Sequence, residues 1–581
     1  MAAILKRDQV LSPRVVEDMI ANGHTIVIFE DLVLKLDSWL DRHPGGGLAI
    51  QHMVGRDATA EMKAYHKPKD LKTMKAFRIG RKPPGLWKNH TPPIRGGVFR
   101  KLHDIPPSPT PMPLVVVEDV DVDDDEDSSC LSDSASDGSD RSVPTSLSSI
   151  DSRVEASPAA PKIAPGYEVF WRSSDDPTVT TKVFQGDAAA YTAWAEQRDA
   201  DLVSLEYPAV DPIVQQDIAK KYSILAQRVH DEGFYTCHYS EYAKEATRYT
   251  LLFTLSMTAL YHEWYMTSAC FLGLFWHQLM FSAHDAGHRA ITGNFVVDTL
   301  IGMWVADFCC GLSLGWWKRS HNVHHLITNH PEHDPDIQNI PLFATSPSFF
   351  RGVFSSYYDF SFVWDAAADF LVPFQKYTYY PVMGIARFNL YLLSWLHLLS
   401  SKSSSLGNSS AWWIRPVEIT MMSCYWYIFG YLLLWCTLPT WPIRIGFVLV
   451  SHIITMPLHV QITLSHWAMS TSDLGETESF AQRQLRTTMD VDCPAWLDWI
   501  HGGLQFQAVH HLFPRVPRHN LRRLQALVKE FCAETGIPYT LLGFVDGNAK
   551  VLGRLAEVGA QVGHLVKCQK YMAETGESGL H

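Results

Sequence analysis

Charged residues are scarce in this 581-residue sequence, where they make up 19% of the chain against about 25% in an average soluble protein. Most of the net charge lies in one segment. Between Glu118 and Glu155 there are 13 acidic and two basic residues, so this stretch supplies −11 of the total charge of −12. The rest of the chain has no basic excess to neutralise phosphates, which argues against nucleic-acid binding.

Cysteine motifs and an N-terminal apolar run are also missing. The ten cysteines include no CxxC pair, and only Cys309 and Cys310 are adjacent, so no disulfide or zinc framework is indicated. The first ten residues, MAAILKRDQV, lack the apolar run of a signal peptide. This absence predicts a cytosolic N-terminus in a reducing environment.

Composition divides the chain into regions. We predict a small soluble domain at 1–90, followed by a disordered acidic linker at 104–163 that is rich in Ser and Pro and too poor in apolar residues to fold. A soluble helical region is predicted at 167–245, a multi-pass helical membrane domain at 246–540 and a C-terminal tail at 541–581. The predicted fold class is therefore mainly α.

Four membrane spans are predicted, as two hairpins. Residues 249–283 are nearly uncharged, and as one helix they would reach about 52 Å, well beyond a hydrocarbon core of about 30 Å. A helical hairpin that breaks near His262 and Glu263 fits better. Residues 417–438 and 443–466 form the second pair, joined by a short PTWP turn.

Two further apolar stretches, 295–317 and 381–400, contain interspersed polar or aromatic residues. We predict that both are interfacial helices. With a cytosolic N-terminus and an even number of crossings before each histidine motif, all of these motifs then lie on the cytosolic side. Lysines and arginines close to them agree with that placement.

The first motif is His43-Pro44-Gly45-Gly46, followed by the GRDAT stretch from Gly55 and by Tyr65-His66. Over residues 1–85 this combination resembles the α+β heme-binding domain of cytochrome b5. The resemblance implies that His43 and His66 are the axial ligands of one heme b. Two imidazoles fill both axial positions, so such a heme transfers electrons and does not bind O2.

Three further motifs place histidines at metal-ligand spacing. HDAGH provides an i, i+4 pair, HNVHH provides i, i+3 and i+4, and QAVHH repeats the second pattern with glutamine first. His466 ends a span near the place where the motifs should meet, which makes it an additional candidate. The candidate ligands are His284, His288, His321, His324, His325, His466, Gln507, His510 and His511.

The number of candidate ligands favours two iron ions. One zinc ion would use three or four of them, whereas two irons need about this many and keep positions open for O2. Asp285, Asp334 and Asp336 are either acceptors for imidazole N–H groups or solvated loop and capping residues. Gln507 is either a weak ligand or a residue that shapes the substrate site.

The other histidines lack such a context. We predict that His24 and His52 are surface residues. His262, His277, His330, His333 and His501 are predicted to be ordinary core or surface residues.

HDAGH, HNVHH and QAVHH, in this order behind a cytochrome b5-like domain, resemble the fused front-end desaturases of the membrane fatty-acid desaturase superfamily. The run from Gly502 to Arg515 further resembles the fungal sphingolipid Δ8 desaturases. The resemblance implies a diiron site that uses O2 to desaturate a membrane lipid, most specifically the long-chain base of ceramide. It also implies electrons from an NADH-cytochrome b5 reductase and a location in the endoplasmic reticulum membrane.

Three other functions remain open at this point. A diiron lipid hydroxylase shares the histidine motifs, although the leading glutamine of the third motif favours a desaturase. A front-end desaturase acting on acyl lipids or acyl-CoA has the same histidines. A membrane-bound electron carrier would leave the clustered histidines unexplained.

Overall fold

The computed structural model describes residues 7–101, 170–172, 180–182, 188–400 and 411–575. The chain divides into two compact units, of which one comprises 1–102 and 168–581 and the other comprises 103–167. All described residues belong to the first unit. The predicted acidic linker lies outside the described residues, and so does Asn408, which begins the N-glycosylation sequon Asn408-Ser409-Ser410.

The N-terminal region is an α+β domain, as predicted. Its strands form an antiparallel sheet in the order β1-β2-β3. Side chains alternate across the sheet, so Val27 and Phe29 enter one apolar core while Ile26 and Ile28 enter a second. The elements of this domain are α1 (Pro13–Ala21), β1 (Ile26–Phe29), β2 (Leu32–Lys35), α2 (Gly47–Gln51), α3 (Thr59–Tyr65), α4 (Pro68–Met74) and β3 (Arg78–Arg81).

The middle of the chain is almost entirely helical, in agreement with the predicted fold class. Its elements are β4 (Phe170–Arg172), β5 (Thr180–Lys182), α5 (Ala188–Glu206), α6 (Pro212–Asp231), α7 (Tyr239–Tyr261), α8 (Tyr265–Gly287), α9 (Phe295–Met303), α10 (Leu314–Leu326), β6 (Val353–Ser355), β7 (Phe360–Phe362), α11 (Ala366–Leu371), α12 (Gln375–Leu399), α13 (Ile414–Trp426), α14 (Trp441–Ile453) and α15 (Met456–Leu464). Wider helical turns extend α9 over Trp304–Cys309 and α13 over Tyr427–Thr437.

The C-terminal part supports the short helix that carries two of the candidate ligands. Its elements are α16 (Phe480–Thr487), β8 (Asp490–Asp492), α17 (Asp498–His501), α18 (Gln507–Leu512), α19 (Arg518–Thr535), β9 (Leu541–Gly543) and α20 (Phe544–Thr575). Leu524 and Val528 of α19 share an apolar core with Val509 and Leu512 of α18. Burial against α19 therefore fixes α18, which is too short to be stable alone.

Three helical runs are long and apolar enough to cross a membrane: Ala366–Leu399, Ile414–Thr437 and Trp441–Leu464. A fourth candidate is the pair Phe295–Cys309 and Leu314–Leu326, which passes the same test only as a pair and is bent by 115°. The described residues therefore contain three candidate spans, or four if the bent pair counts as one. The last two of the three runs coincide with the predicted second hairpin.

The first predicted hairpin is present, but neither of its helices is among the runs that are long and apolar enough to cross a membrane. Helices α7 and α8 pack against each other and break at His262 and Glu263, where the sequence predicted the break. Polar side chains of α8, including His277, Gln278 and Ser282, are buried inside the protein. They lower the hydropathy of the helix without facing lipid.

Of the two predicted interfacial helices, 381–400 stays a prediction and 295–317 is corrected in shape. Most of 381–400 belongs to the run Ala366–Leu399, which by length and composition alone could span. The sequence made it look polar because Arg387 interrupts it, but that side chain is buried, with Nη2 donating to Cys310 O and Nε to the Tyr391 hydroxyl. The segment 295–317 is two sharply bent helices, not one.

Candidate heme and metal sites

His43 and His66 face each other across a cavity of the N-terminal domain. Their ring centroids are 5.8 Å apart. His43 Nδ1 bonds the Gly46 carbonyl at 3.0 Å, and His66 Nδ1 bonds the Met62 carbonyl at 2.9 Å. Each backbone carbonyl thus fixes one ring nitrogen and leaves the other available to a metal.

The tight turn after His43 depends on glycine. Gly46 has a φ of +88°, a conformation that L side chains rarely adopt, and its carbonyl then orients the His43 ring. Desolvation lowers the pKa of His66 to about 3, with a further contribution from His43. At neutral pH both rings are therefore uncharged, as a metal ligand must be.

The cavity between the two histidines has the mostly apolar lining that ligand pockets share. The space between its lining residues, including the part open to solvent, is about 1010 Å³. Val27, Leu36 and Ile50 line the side formed by the N-terminal domain. The opposite side includes His288, so this cavity adjoins the second group of histidines.

Four elements bring the histidines of the three motifs together. His284 and His288 end α8, and His321, His324 and His325 lie on α10. His466 follows α15, and α18 carries the last two histidines. Capping fixes the start of α10, because the Ser313 hydroxyl accepts a hydrogen bond from Trp316 N at 3.0 Å.

The histidines form two groups. In the first, ligand atoms of His284, His288, His321 and His510 all lie within 4.8 Å of one another. The second has the same compactness and comprises His324, His466 and His511. The additional candidate His466 is thus brought to the cluster, with its ring centroid 4.6 Å from that of His324.

His325 lies between the two groups. Its Nε2 is 2.9 Å from His321 Nε2 in the first group, and its ring stacks on His511 of the second group at 4.0 Å. Eight histidines from distant parts of the chain therefore form one continuous cluster. A third set of ligand atoms, from His321, His324 and Asp336, overlaps both groups. The two histidine groups are the arrangement that two adjacent metal ions would use.

Unpartnered nitrogen atoms in the cluster indicate what it binds. Five of its buried ring nitrogens have no hydrogen-bond partner among the described residues, namely Nε2 of His284, His288, His510 and His511 and Nδ1 of His325. Leaving buried polar atoms unpaired is unfavourable. An imidazole donor set of this size fits two iron ions.

Burial also keeps the histidines of the C-terminal part neutral. Desolvation lowers the pKa of His510 and His511 well below the ordinary value, and neighbouring histidines lower it further. The pKa of His466 is lowered in the same way. Neutral imidazoles can donate a lone pair to a metal at physiological pH.

Two of the ligand candidates have a partner that orients the ring. His324 Nδ1 donates to Asp334 at 2.9 Å, and His511 Nδ1 donates to the Gln484 side-chain oxygen at 2.9 Å. Asp334 was among the predicted acceptors. Gln484 was missed, because it lies in an ordinary helical sequence and only the fold brings it to His511.

The other two predicted acceptors are used differently. Asp285 bonds Tyr242 and Arg518, while its nearest approach to His284 is 3.7 Å. Asp285 therefore ties α8 to α7 and α19. Asp336 lies 3.6 Å from His324 Nδ1, behind the closer Asp334.

Gln507 is the first residue of α18 and is buried. Because it lies three residues before His510, it shares that face of the helix. Asp490 accepts a hydrogen bond from the next backbone N–H, Ala508 N, at 2.8 Å. This contact fixes the start of α18 and with it the position of Gln507.

The histidines predicted to have no metal role lie outside the two groups. For one of them the predicted environment is wrong, because His52 is fully buried and not on the surface. It contacts His333, with ring centroids 5.2 Å apart, and accepts from Arg95 at 3.4 Å. The sequence could not show this, because His333 belongs to a distant segment that covers His52.

Comparison with known proteins identifies both regions. Residues 14–82 match the family model described as cytochrome b5-like heme/steroid binding domain, and residues 263–543 match the model described as fatty acid desaturase. The Delta 8-(E)-sphingolipid desaturase of Emericella nidulans is 48% identical over 99% of each chain.

Two further relatives show how far the similarity extends. The Delta 8-(E)-sphingolipid desaturase of Candida albicans is 43% identical over 95% of this chain and 96% of its own length. The acyl-lipid (9-3)-desaturase of Borago officinalis is 35% identical over 52% of this chain and 66% of its own length. Similarity to the fungal proteins thus extends over both domains and the segments between them.

Proposed function

Because this chain belongs to the family of membrane fatty acid desaturases with a fused cytochrome b5-like domain, we propose that it introduces a double bond at the Δ8 position of the long-chain base of ceramide. The reaction rests on one observation, the cluster of eight histidines beside the His43 and His66 cavity. The substrate rests on the relatives that match almost the whole chain. Those relatives are desaturases of sphingolipids.

His43 and His66 would hold one heme b. The eight clustered histidines, with Gln507 as a ninth candidate, would hold two iron ions. Heme supplies electrons one at a time, and the irons supply the O2 chemistry that acid–base side chains cannot perform on an aliphatic C–H bond. The electron donor would be an NADH-cytochrome b5 reductase.

The chain's own residues arrange these sites. Asp334 and Gln484 fix the rings of His324 and His511, and burial lowers the pKa of His466, His510 and His511. His288 lies in both the cavity wall and the first histidine group, so the two sites are adjacent. We place the enzyme in the endoplasmic reticulum membrane, with both sites on the cytosolic side.

Lipid analysis of a host that lacks sphingolipid Δ8 desaturation tests this proposal. Expression of the protein should yield long-chain bases that have lost two hydrogens, with the double bond between C8 and C9. The matched control is the His510→Ala, His511→Ala double variant, which should yield none. Unsaturation confined to acyl chains, or a product that has gained an oxygen atom, would contradict the proposed substrate or reaction.

A further inference from the structure

The wall of the heme cavity contributed by the membrane domain is positively charged. Three basic side chains from three separate segments line it beside His43 and His66: Arg289, Lys318 and Arg515. They come from the residue after His288, from α10 and from the loop before α19. No short sequence motif joins them, and only the fold places them on one cavity.

These cations have no anionic partner in the described part of the chain. Arg289 and Lys318 lie over the ring of Phe295, at 5.8 and 5.3 Å from its centroid. Arg515 donates to the Ala64 carbonyl at 3.3 Å and lies over Tyr235. None of the three forms a salt bridge with a described carboxylate.

Two carboxylates near Lys318 are hydrogen-bonded to other groups, and Asp70 near Arg289 forms no ion pair with it among the described residues. Asp298 accepts hydrogen bonds from the Thr292 and Gly293 backbone N–H groups, at 3.0 and 2.9 Å. Glu418 accepts from Gly315 N at 2.7 Å and from the Ser313 hydroxyl. Glu61 lines the cavity but forms no ion pair with the three cations in the described structure.

Unpaired cations on a cavity wall indicate that the cavity binds an anion. Lys318 is only 8% exposed, and a buried ammonium group is costly unless it is paired. The cofactor for which this cavity has ligands carries two propionate carboxylates. Three cations and two carboxylates would leave little net charge in the cavity.

We propose that Arg289, Lys318 and Arg515 bind the heme propionates, so that the heme is held by both domains of the protein. This inference rests on the proposed function only in that His43 and His66 hold the heme. It assigns the three residues a positioning role. Their pairing with the propionates would tie the heme to the membrane domain as well as to the N-terminal domain.

Arg289 lies next in sequence to a residue of the metal cluster, so its contact with a propionate would link the heme to that cluster. It directly follows His288, which lines the same cavity and belongs to the first histidine group. Arg289 has a φ of +58°, a left-handed conformation that is unusual for a residue with a side chain and is often found at functional sites. The same short segment thus contacts both the heme cavity and the metal cluster.

The test uses the purified full-length protein and measures heme binding and not turnover. We compare Arg289→Gln, Lys318→Gln and Arg515→Gln with the conservative variant Lys318→Arg. The matched control is Arg523→Gln, an exposed arginine of α19 that does not line the cavity. Each protein is reconstituted with protoheme and, separately, with its dimethyl ester, in which the propionates carry no charge.

With protoheme, the three neutral variants should release heme to apomyoglobin faster, by about tenfold for loss of a charge-assisted hydrogen bond worth roughly 1.4 kcal/mol. Their heme midpoint potential should fall, because removing a cation favours the more positive ferric state. Lys318→Arg and Arg523→Gln should behave like the parent protein. With the dimethyl ester, all of the proteins should release heme at the same rate.

Three results would overturn the proposal. The first is protoheme release and potential unchanged in the neutral variants, as expected if the cations bind lipid phosphate instead. The second is an equal acceleration with protoheme and with the ester, which would mean a purely structural role. The third is Arg523→Gln matching the neutral variants. Absence of a six-coordinate low-spin spectrum from the parent protein would instead refute heme ligation by His43 and His66.

Discussion

At the scale of single residues, hydrogen bonds and ring stacking with neighbouring side chains fix the histidines of the cluster. Asp334 is fully buried and also accepts from Asn329 N at 2.7 Å, which holds it against His324. Trp317 stacks on His321 with ring centroids 4.3 Å apart. These contacts orient the imidazoles before any metal binds, which favours tight binding.

Replacing Asp334 tests this orienting role. In Asp334→Asn the side chain keeps its shape but loses its charge, so it holds the His324 tautomer less firmly. We expect iron affinity or activity to fall by about 10- to 100-fold, measured as iron content during dialysis against a chelator. The control is Asp365→Asn, at the cap of α11, where asparagine serves as well as aspartate. Equal iron retention in both variants would contradict the role.

Heme ligation is tested by His43→Ala and His66→Ala. Each variant removes one of the two axial imidazoles, so the six-coordinate low-spin spectrum should disappear while iron in the membrane domain remains. Absorption spectra and non-heme iron analysis of the purified proteins measure both effects. A low-spin spectrum retained in both variants would show that other residues hold the heme.

Gln507 is chemically the weakest of the sequence-predicted ligands, because an amide oxygen is a poor donor to iron. If Gln507 is a ligand, histidine should replace it better than leucine does, since imidazole restores a donor that iron accepts. We expect Gln507→His to keep more desaturation than Gln507→Leu, and His510→Ala to lose it. Product and iron are measured at equal protein levels. Full activity of Gln507→Leu would remove Gln507 from the site.

Residues with a spaced motif were predictable from sequence, and residues without one were not. The i, i+3 and i+4 spacing of HNVHH predicted that His321, His324 and His325 would lie together, and the structure brings all three into the cluster. Gln484 has no such signal, because its role depends on α16 packing beside α18. The environment of His52 was wrongly predicted for the same reason, since a long-range contact buries it.

At the scale of elements, the cluster restricts how the helices cross the membrane. His324 and His466 are 4.6 Å apart between ring centroids, so both lie on one side of the membrane. The described residues between them contain three candidate spans. An even number of crossings must join two points on one side, and therefore the three runs do not all cross.

We expect Ala366–Leu399 to stay on the cytosolic side while Ile414–Thr437 and Trp441–Leu464 cross. A glycosylation reporter with spacers, inserted near the sequon at Asn408, should then receive no glycan. The same reporter between Pro439 and Thr440 should be modified, which is the matched control. Gel mobility with and without endoglycosidase reads out both. Glycan on the first reporter alone would mean that Ala366–Leu399 crosses.

A helix break could be predicted from sequence where its cause is local. The hydropathy of a helix was harder to interpret where its polar side chains are buried inside the protein. The break at His262 and Glu263 was predictable because the uncharged run was too long for one span. In 381–400 the sequence shows Arg387 as an interruption, but a window of sequence cannot show that its guanidinium bonds Cys310 O inside the protein. The polar groups of α8 lower its hydropathy in the same way.

At the scale of the whole molecule, the N-terminal domain packs directly on the membrane domain. Leu326 and Ile327 at the end of α10 share an apolar core with Phe29 and Leu34 of the sheet. Asn89 donates to the Glu476 carbonyl at 3.0 Å. The sequence indicated both domains but not this interface, because its contacts join residues hundreds of positions apart.

We propose that eight histidines from both halves of the membrane domain hold two iron ions beside one heme. Metal analysis of the purified full-length protein, combined with heme quantification, measures both cofactors at once. We expect two non-heme irons and one heme per chain, with the non-heme iron lost in the His284→Ala, His511→Ala double variant. One metal ion per chain, or zinc in place of iron, would refute the diiron site.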